Sequence, residues 1–154
     1  MLTISTENTR EVSRQLKAVE KAIPERLADA LLEVGRLVQT EAMRRCPQSP
    51  TAGQARAAGA KRRKRGREAG TLTRAIKVIE KSGEVLVGVF TGAALKYANY
   101  IHNGQGTKWQ NIGPGSKAKQ NGPKVGGEFL TRAYDDNEGD MQEIFEKEVT
   151  KALP

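Results

Sequence analysis

The chain has 154 residues, of which 37% are apolar, 29% are charged and 5% are aromatic, and its formal net charge is +8. This length predicts one domain over residues 1–154, and the single Cys46 and single His102 exclude an internal disulfide, a cysteine-based zinc site and any site that needs two imidazoles. No apolar run approaches the ~20 residues of a membrane span and Met1–Ser5 lacks the pattern of a secretory leader, so we expect a soluble protein from a reducing compartment.

Two N-terminal helices are predicted first along the chain. Apolar residues recur at helical spacing over residues 7–23, at Val12, Leu16, Val19 and Ile23. Pro24 disfavours helix at the residue before it but fits the first turn of a new helix, so the second helix should run from about Pro24 to Arg44 and end at Cys46–Pro47. Gly35 costs on the order of 1 kcal/mol against alanine inside that helix, which close packing of another backbone would explain.

Two later segments have no apolar periodicity and are predicted to be long flexible loops, residues 47–70 and 103–127. The first holds a basic run and the second is rich in glycine and lysine: Lys61, Arg62, Arg63, Lys64, Arg65 and Arg67, then Lys108, Lys117, Lys119 and Lys124. The basic run fits contact with phosphates, and its alternatives are a nuclear-localisation signal or a solvated loop. No adjacent aromatic residue could stack on bases, so recognition of single-stranded bases is not supported.

A β-hairpin is predicted between the two loops. Alternating apolar residues indicate that Thr73–Lys81 pairs with Glu84–Phe90 around a turn at Ser82–Gly83. Gly88 suggests a bulge or a close backbone contact. Residues 97–102 are predicted to form a short helix.

A closing helix should begin near Phe129 or after Asp140, and Gly139 leaves its continuity open. The acidic residues at 135–140 lack the spacing of a calcium loop and are expected to start a helix, where carboxylates are favourable. The sequence therefore predicts an α+β fold with two N-terminal helices, a small antiparallel sheet built on a hairpin, a C-terminal helix and two long flexible loops.

No catalytic site, metal or cofactor is predicted. A general base needs an orienting group and a nucleophile, and nothing near His102 in the sequence supplies them. We expect His102 to make a structural hydrogen bond at the start of the second loop. Cys46 follows two arginines, which lower a thiol pKa, but its place at a helix end favours a packed, inert side chain.

Five short motifs follow one another over residues 27–150. They are the helix Leu27–Met43 with its proline turn and Pro47…Thr51-Ala52-Gly53; Gly70–Ile76; Val85–Gly88; Tyr97–Gly104; and Phe129–Ala133. In this order they resemble the neck or tail-completion proteins of tailed bacteriophages, of the gene-product-ten type of lambda-like phages. The chain departs from that pattern by an insertion at Gln54–Ala69 and by Glu128 where a proline is usual.

The resemblance implies an α+β subunit that forms a ring between head and tail, with viral DNA passing through it. It implies a structural virion protein of the neck, made in the host cytoplasm, and no enzyme. The implied partners are copies of itself (a hexamer preferred, a dodecamer possible), a head-completion or adaptor protein, a tail terminator or tail tube protein, and double-stranded DNA, with no membrane. The motif residues carried over as structural are Pro47, Gly53, Leu72, Ile76, Gly88, Tyr97, Tyr100, His102, Gly104, Phe129 and Leu130.

Charge is separated along the chain in a way that fits such a ring. Residues 1–41 carry a net charge of −1, residues 42–127 a net +14 and residues 128–154 a net −5. A head-to-tail ring needs two different complementary faces, and mobile cationic loops give weak, non-specific contact with sliding DNA. The basic run is expected to contact either the DNA channel or an acidic neighbouring subunit. The alternatives are a small basic protein that binds nucleic acid non-specifically, and a small nuclease or toxin that uses His102 with carboxylates.

Overall fold

The computed structural model describes residues 6–47, 71–103 and 125–153. The fold is α+β, as the sequence predicts, and its elements in chain order are α1 (Thr6–Arg45), α2 (Thr71–Ala75), β1 (Lys77–Lys81), β2 (Glu84–Gly88), α3 (Ala93–His102), α4 (Phe129–Asp135) and α5 (Glu138–Thr150). The predicted flexible loops fall almost wholly outside the described residues. The exceptions are their ends, where Val125 is buried and the Gly126 amide donates to the Arg45 carbonyl oxygen at 3.0 Å.

One helix replaces the two predicted at the N-terminus, because α1 continues through Pro24. Proline inside a helix removes one hydrogen bond and crowds the carbonyl four residues earlier, here that of Glu20. Pro24 and Glu20 both lie on the exposed side of α1, so water can solvate that carbonyl. The predicted break was wrong because Pro24 lies on the solvent side of α1, away from its apolar stripe.

Gly35 lies where the hairpin packs on α1. A Cβ atom at this position would lie 2.5 Å from Val85 Cγ1 and 3.1 Å from Val78 Cγ1. Close packing therefore explains the glycine, as predicted, although valine side chains rather than a backbone make the approach. Valine has few rotamers, so these methyl groups cannot simply swing away.

Gly35→Ala is expected to destabilise the fold by up to about 2 kcal/mol, because overpacking costs roughly 1–3 kcal/mol and the helix propensity of alanine returns about 1 kcal/mol of that. Gly139→Ala is the matched control, since Gly139 also lies in a helix but has no atom within 4 Å of an added Cβ. That variant should gain stability. Urea unfolding of both measures the difference, and a stabilised Gly35→Ala would contradict the close contact.

A one-turn helix, α2, stands where the sequence predicted the start of a strand. Leu72 and Ile76 are 4% and 0% exposed, and a separation of four residues places both on one side of a helical turn. The strand was predicted to begin at Thr73, but it begins at Lys77, after this buried helical turn. Gln39 Nε2 on α1 donates to the Ile76 carbonyl oxygen at 2.8 Å and fixes the point where the strand begins.

The hairpin itself is confirmed, with β1 antiparallel to β2. Its turn residues Ser82 and Gly83 both have positive φ, 51° and 80°, which suits the twist of a two-residue hairpin turn. Strand β2 ends at Gly88, two residues before the predicted Phe90. Gly88 pairs in register with Lys77, so the predicted bulge is absent.

The C-terminal region contains two helices rather than one. The chain leaves the helix at Asp136–Asn137, two residues before Gly139, and Asn137 Nδ2 donates to the Ala133 carbonyl oxygen at 2.8 Å. Glu138 and Asp140 occupy the first turn of α5, as predicted, whereas Asp135 and Asp136 of the same acidic cluster lie at the end of α4. Helix α3 also begins earlier than predicted, at Ala93.

The core lies along the C-terminal half of α1, where α4, α5 and the hairpin pack against it. Its fully buried larger side chains are Phe129, Ile76 and Cys46. The burial of Cys46 confirms the packed cysteine expected from the sequence. Smaller residues complete this core, among them Val38, Ala42, Ala98 and Ala133.

Candidate assembly surfaces

An open apolar groove runs between β2 and the C-terminal helices, with α1 as its floor. Its volume is about 660 Å³. The floor comes from Leu31, Val34 and Val38, and the walls carry Val85 and Val87 on one side and Leu130, Tyr134, Met141 and Phe145 on the other. Among the described residues, the charged side chains that line it are Glu138 and Glu146, both on α5. The groove therefore suits an apolar occupant with neutral or cationic flanks.

The N-terminal part of α1 extends beyond the other described elements. Helix α5 runs back along α1 and ends near Arg26, whose Nη1 lies 3.7 Å from Glu148 Oε2. Residues 11–23, here called the arm, precede that point. Val12 and Leu16 on the arm are 53% and 63% exposed. Val12 and Leu16 thus carry the apolar stripe of α1 onward into solvent, whereas Val19 and Ile23 nearer the other elements are half-buried.

The hairpin has a second apolar face, turned away from α1. Ile79 and Leu86 are directly opposite each other in the register and both are exposed, as is Phe90 just after β2. Cross-strand apolar pairs stabilise a hairpin, but this face leaves much of their surface in water. Among the described residues, apolar side chains are therefore presented to solvent in three places: the groove, the arm and this outer face of the hairpin.

Arg45 joins the end of α1 to α4. Its Nη1 atom donates to the Arg132 carbonyl oxygen at 3.0 Å and to the Asp136 carboxylate, and its Nη2 atom lies 3.6 Å from Glu41 Oε2. The side chain is 8% exposed, whereas that of Arg44, which bonds the same Glu41 at 2.7 Å, is 64% exposed. Arg45 therefore holds in place the helix that supplies Leu130 and Tyr134 to the groove.

Glu148 forms a second charged contact between helices. A hydrogen bond from Lys151 Nζ is the main cause that lowers the pKa of the Glu148 carboxyl, and the charges of Lys151, Arg26 and Lys147 act in the same direction while burial opposes them. Its side chain is almost fully enclosed beside Arg26, so this pair anchors α5 to α1 at the base of the arm.

This contact predicts a pH effect. Because the folded-state pKa of Glu148 is lowered, its contribution to stability is present above the ordinary value of 4.5 and is lost as the pH falls through the folded-state value. Glu148→Gln should therefore flatten the loss of stability below about pH 4.5, and Lys151→Met should flatten it in part. Chemical denaturation at a series of acidic pH values measures this, and an unchanged pH profile in Glu148→Gln would contradict it.

Two of the family-motif residues, His102 at the end of α3 and Phe129 at the start of α4, meet each other. The His102 ring packs edge-on against Phe129, with 5.4 Å between centroids, and His102 Nε2 lies 3.4 Å from Thr131 Oγ1. The Glu128 amide also donates to the His102 carbonyl oxygen at 3.0 Å. His102 thus makes an aromatic contact with Phe129 and lies within hydrogen-bond distance of Thr131. This contact joins the two sides of the 103–127 segment.

The remaining motif residues have separate places. Leu72, Ile76 and Gly88 are buried, while Pro47, Tyr97 and Leu130 are half-buried. The Tyr100 side chain, Gly53 and Gly104 lie outside the described part. So do all ten basic loop residues, Lys61, Arg62, Arg63, Lys64, Arg65, Arg67, Lys108, Lys117, Lys119 and Lys124.

Residues 6–47, 71–103 and 125–153 show neither a metal-binding cluster nor a membrane-spanning helix. No group of three or more histidine, cysteine, aspartate or glutamate side chains there is placed to hold a metal ion. No helix in those ranges has both the length and the hydropathy for crossing a bilayer.

The sequence pattern alone missed the groove and the Arg45 junction. Gly35 was the one sequence signal for the groove, because a glycine inside a helix suggests that another part of the chain packs closely against it. The glycine does not indicate which part of the chain that is. Nothing in the sequence distinguished Arg45 from Arg44. Their different burial arises from contacts with residues about 90 positions later.

Comparison with known proteins identifies the family. Residues 10–104, more than half of the chain, match the family model described as "Bacteriophage HK97-gp10, putative tail-component". The matched range includes most of α1 with the arm, the hairpin and α3, and it stops before the Phe129–Ala133 motif. No curated protein and no solved structure matches the chain. The chain belongs to the HK97-gp10-like family of bacteriophage tail components.

Proposed function

We propose that this structural phage protein forms a homo-oligomeric ring in the neck, joins head to tail and surrounds the path of the viral DNA. Family membership is the observation that carries the proposal. A tail component works as part of the virion, and its expected partners are an adaptor or head-completion protein on one side and a tail terminator or tail tube protein on the other. The protein acts by assembly and not by catalysis.

The distribution of apolar and charged surfaces supports assembly. Apolar side chains line the groove and are exposed on the arm and on the outer hairpin face, and exposed apolar surface of this kind is a candidate for contact between subunits. These surfaces differ from one another, as a head-to-tail contact between identical subunits requires. The net charge of +14 over residues 42–127 against −5 over residues 128–154 adds attraction between unlike faces.

Native mass spectrometry and negative-stain images of the purified full chain, together with images of particles that contain it, test the ring. A closed ring is expected, six-fold by preference and twelve-fold as the alternative. A ring seen only in particles would still support the proposal, because a portal or tail can act as template. Monomers or dimers in both preparations would refute it and favour a small non-specific nucleic-acid-binding protein.

The basic run is proposed to face the DNA channel. Its six cations have no apolar or aromatic anchor between Gln54 and Ala69, whereas protein interfaces normally have such anchors. Replacing Lys61–Arg65 with serine and glycine should leave heads and tails joined but impair DNA retention or ejection. The measurement is electron microscopy of particles combined with a nuclease-protection assay for packaged DNA.

Two other outcomes would point elsewhere. Separate heads and tails would assign the run to a docking surface on a neighbouring protein. Normal particles with normal infectivity would contradict any role in contact. His102→Ala should not change the nuclease activity measured for the purified protein. Of the functions considered, only that of a nuclease requires the His102 imidazole.

A further inference from the structure

We propose that the arm of one subunit lies in the apolar groove of the next subunit. This inference deepens the proposed ring and rests on it, since it names the contact that links one copy to another. The occupant is a second copy of this chain, through the stripe Val12, Leu16, Val19 and Ile23.

The arm cannot reach the groove of its own subunit. Arm residues 11–23 and floor residues Leu31, Val34 and Val38 belong to one uninterrupted helix, α1. A helix rises 1.5 Å per residue and cannot fold back onto itself without breaking. Any arm that enters a groove therefore comes from another molecule.

The stripe and the groove match in spacing and length. Val12, Leu16 and Val19 are separated by four and three residues, which is the anchor pattern of a helix that binds in a groove. From Val12 to Val19 the helix rises about 10 Å, and the groove floor from Leu31 to Val38 has the same number of residues and the same rise. A volume of about 660 Å³ leaves room for several aliphatic side chains.

The stripe is continuous with an interface that already exists in the subunit. The same side of α1 that packs against α5 past Arg26 continues into the arm, where Val12 and Leu16 are exposed. The groove would place a comparable apolar surface against them. Among the described residues, the charged side chains that line the groove are Glu138 and Glu146. The arm cations Arg14, Lys17 and Lys21 lie on the side of the helix away from the stripe, so the contact rests on apolar packing and leaves these cations in solvent.

This contact joins two different surfaces, so each subunit gives one arm and receives another. Such a head-to-tail contact propagates around a ring or along a chain, whereas pairing of arm with arm would stop at a dimer. Four aliphatic side chains form a small interface compared with the roughly 800 Å² per partner of stable complexes. A single contact should be weak, and assembly should depend on many of them.

Cross-linking of the full chain between the arm and the groove tests the proposal. Leu16→Cys and Gln142→Cys place thiols on the exposed arm and on the exposed α5 side of the groove. A short bismaleimide should convert the double variant at high protein concentration into a ladder of dimers, trimers and larger species. Wild-type protein controls for the buried Cys46, and Ala18→Cys with Gln142→Cys controls for the face, because Ala18 lies on the opposite side of the arm. Both controls should give far weaker ladders.

A charge placed on the stripe gives an independent readout. Leu16→Glu should weaken self-association by about tenfold or more in sedimentation experiments, and Ala18→Glu, which adds the same charge on the other face, should not. Both residues are exposed, so both variants should fold.

Three results would overturn the arm contact. Dimers from Leu16→Cys alone, as abundant as the species from the double variant, would mean that arms pair with each other. If the protein forms a ring, but the double cysteine variant gives no cross-linked ladder and Leu16→Glu associates normally, the ring is held together by a different contact. Monomers at every protein concentration, together with particles that contain no ring, would refute both the arm contact and the proposed function.

Discussion

Replacing Phe129 with alanine is expected to lower the free energy of unfolding by about 3–5 kcal/mol. Phe129 is fully buried at the first position of α4, and its ring packs edge-on against His102 with 5.4 Å between centroids. Truncation removes the burial of the ring and leaves a cavity, because a closely packed core relaxes only in part. Thermal or urea unfolding measures the loss.

Phe90→Ala is the control, because Phe90 lies just after β2 and is exposed. It should cost much less than Phe129→Ala. Phe129→Leu keeps most of the volume and should lose about 1 kcal/mol, including the aromatic contact with His102. Equal losses of stability in Phe129→Ala and Phe90→Ala would show that the buried contact between Phe129 and His102 does not stabilise the core.

The parts of the fold that sequence predicted well are those decided locally. The hairpin follows from alternating residues around Ser82–Gly83, where both turn residues take positive φ. The acidic start of α5 follows from Glu138 and Asp140 in its first turn. These features depend on neighbours within a few positions, which a sequence displays directly.

The parts that failed depend on which side of an element meets the core. Pro24 breaks helices in general, but here it lies on the exposed side of α1, so the helix continues. Leu72 and Ile76 resemble a strand start by composition, yet their joint burial selects a helical turn. A stripe such as Val12–Ile23 predicts an apolar face without saying whether its partner is in the same chain.

Only the part of the candidate site that lies in one continuous stretch of sequence could be predicted. The basic run at Lys61–Arg67 is plain in the sequence, and it lies outside the described residues. The groove arises instead from three distant segments, α1, β2 and the α4–α5 pair. Such a surface exists only after those segments pack, and Gly35 was its single trace in the sequence.

Arg45→Met is expected to cost about 2–4 kcal/mol of stability, the second large effect. Removing one partner of a buried ion pair costs roughly 3–5 kcal/mol because the other charge is left buried. The loss here should be somewhat smaller than that range, since Glu41 keeps its bond to Arg44 at 2.7 Å. Loss of the bonds from Arg45 to the Arg132 carbonyl oxygen and to Asp136 should also loosen α4, which carries Leu130 and Tyr134 into the groove.

Arg44→Met is the matched control, because it removes the neighbouring arginine from the same carboxylate. Arg44 is 64% exposed and Arg45 is 8% exposed, so its loss should cost under about 1 kcal/mol. Arg45→Lys should be intermediate, since an ammonium group is a point charge that cannot reproduce the planar fork of the guanidinium. Equal effects of Arg44→Met and Arg45→Met would mean that burial does not separate the two arginines.

Glu41→Gln separates the two sources of the Arg45 effect. If the cost of Arg45→Met arises from leaving Glu41 buried and partly uncompensated, Glu41→Gln should relieve it, and the double variant should be more stable than the sum of the single losses predicts. If the cost arises from the bonds to α4, the two losses should simply add. We expect partial relief, because Arg45 contacts Glu41 at 3.6 Å as well as two acceptors at the end of α4. Purely additive losses would assign Arg45 entirely to the positioning of α4, and with it to the wall of the groove that is proposed to receive the neighbouring arm.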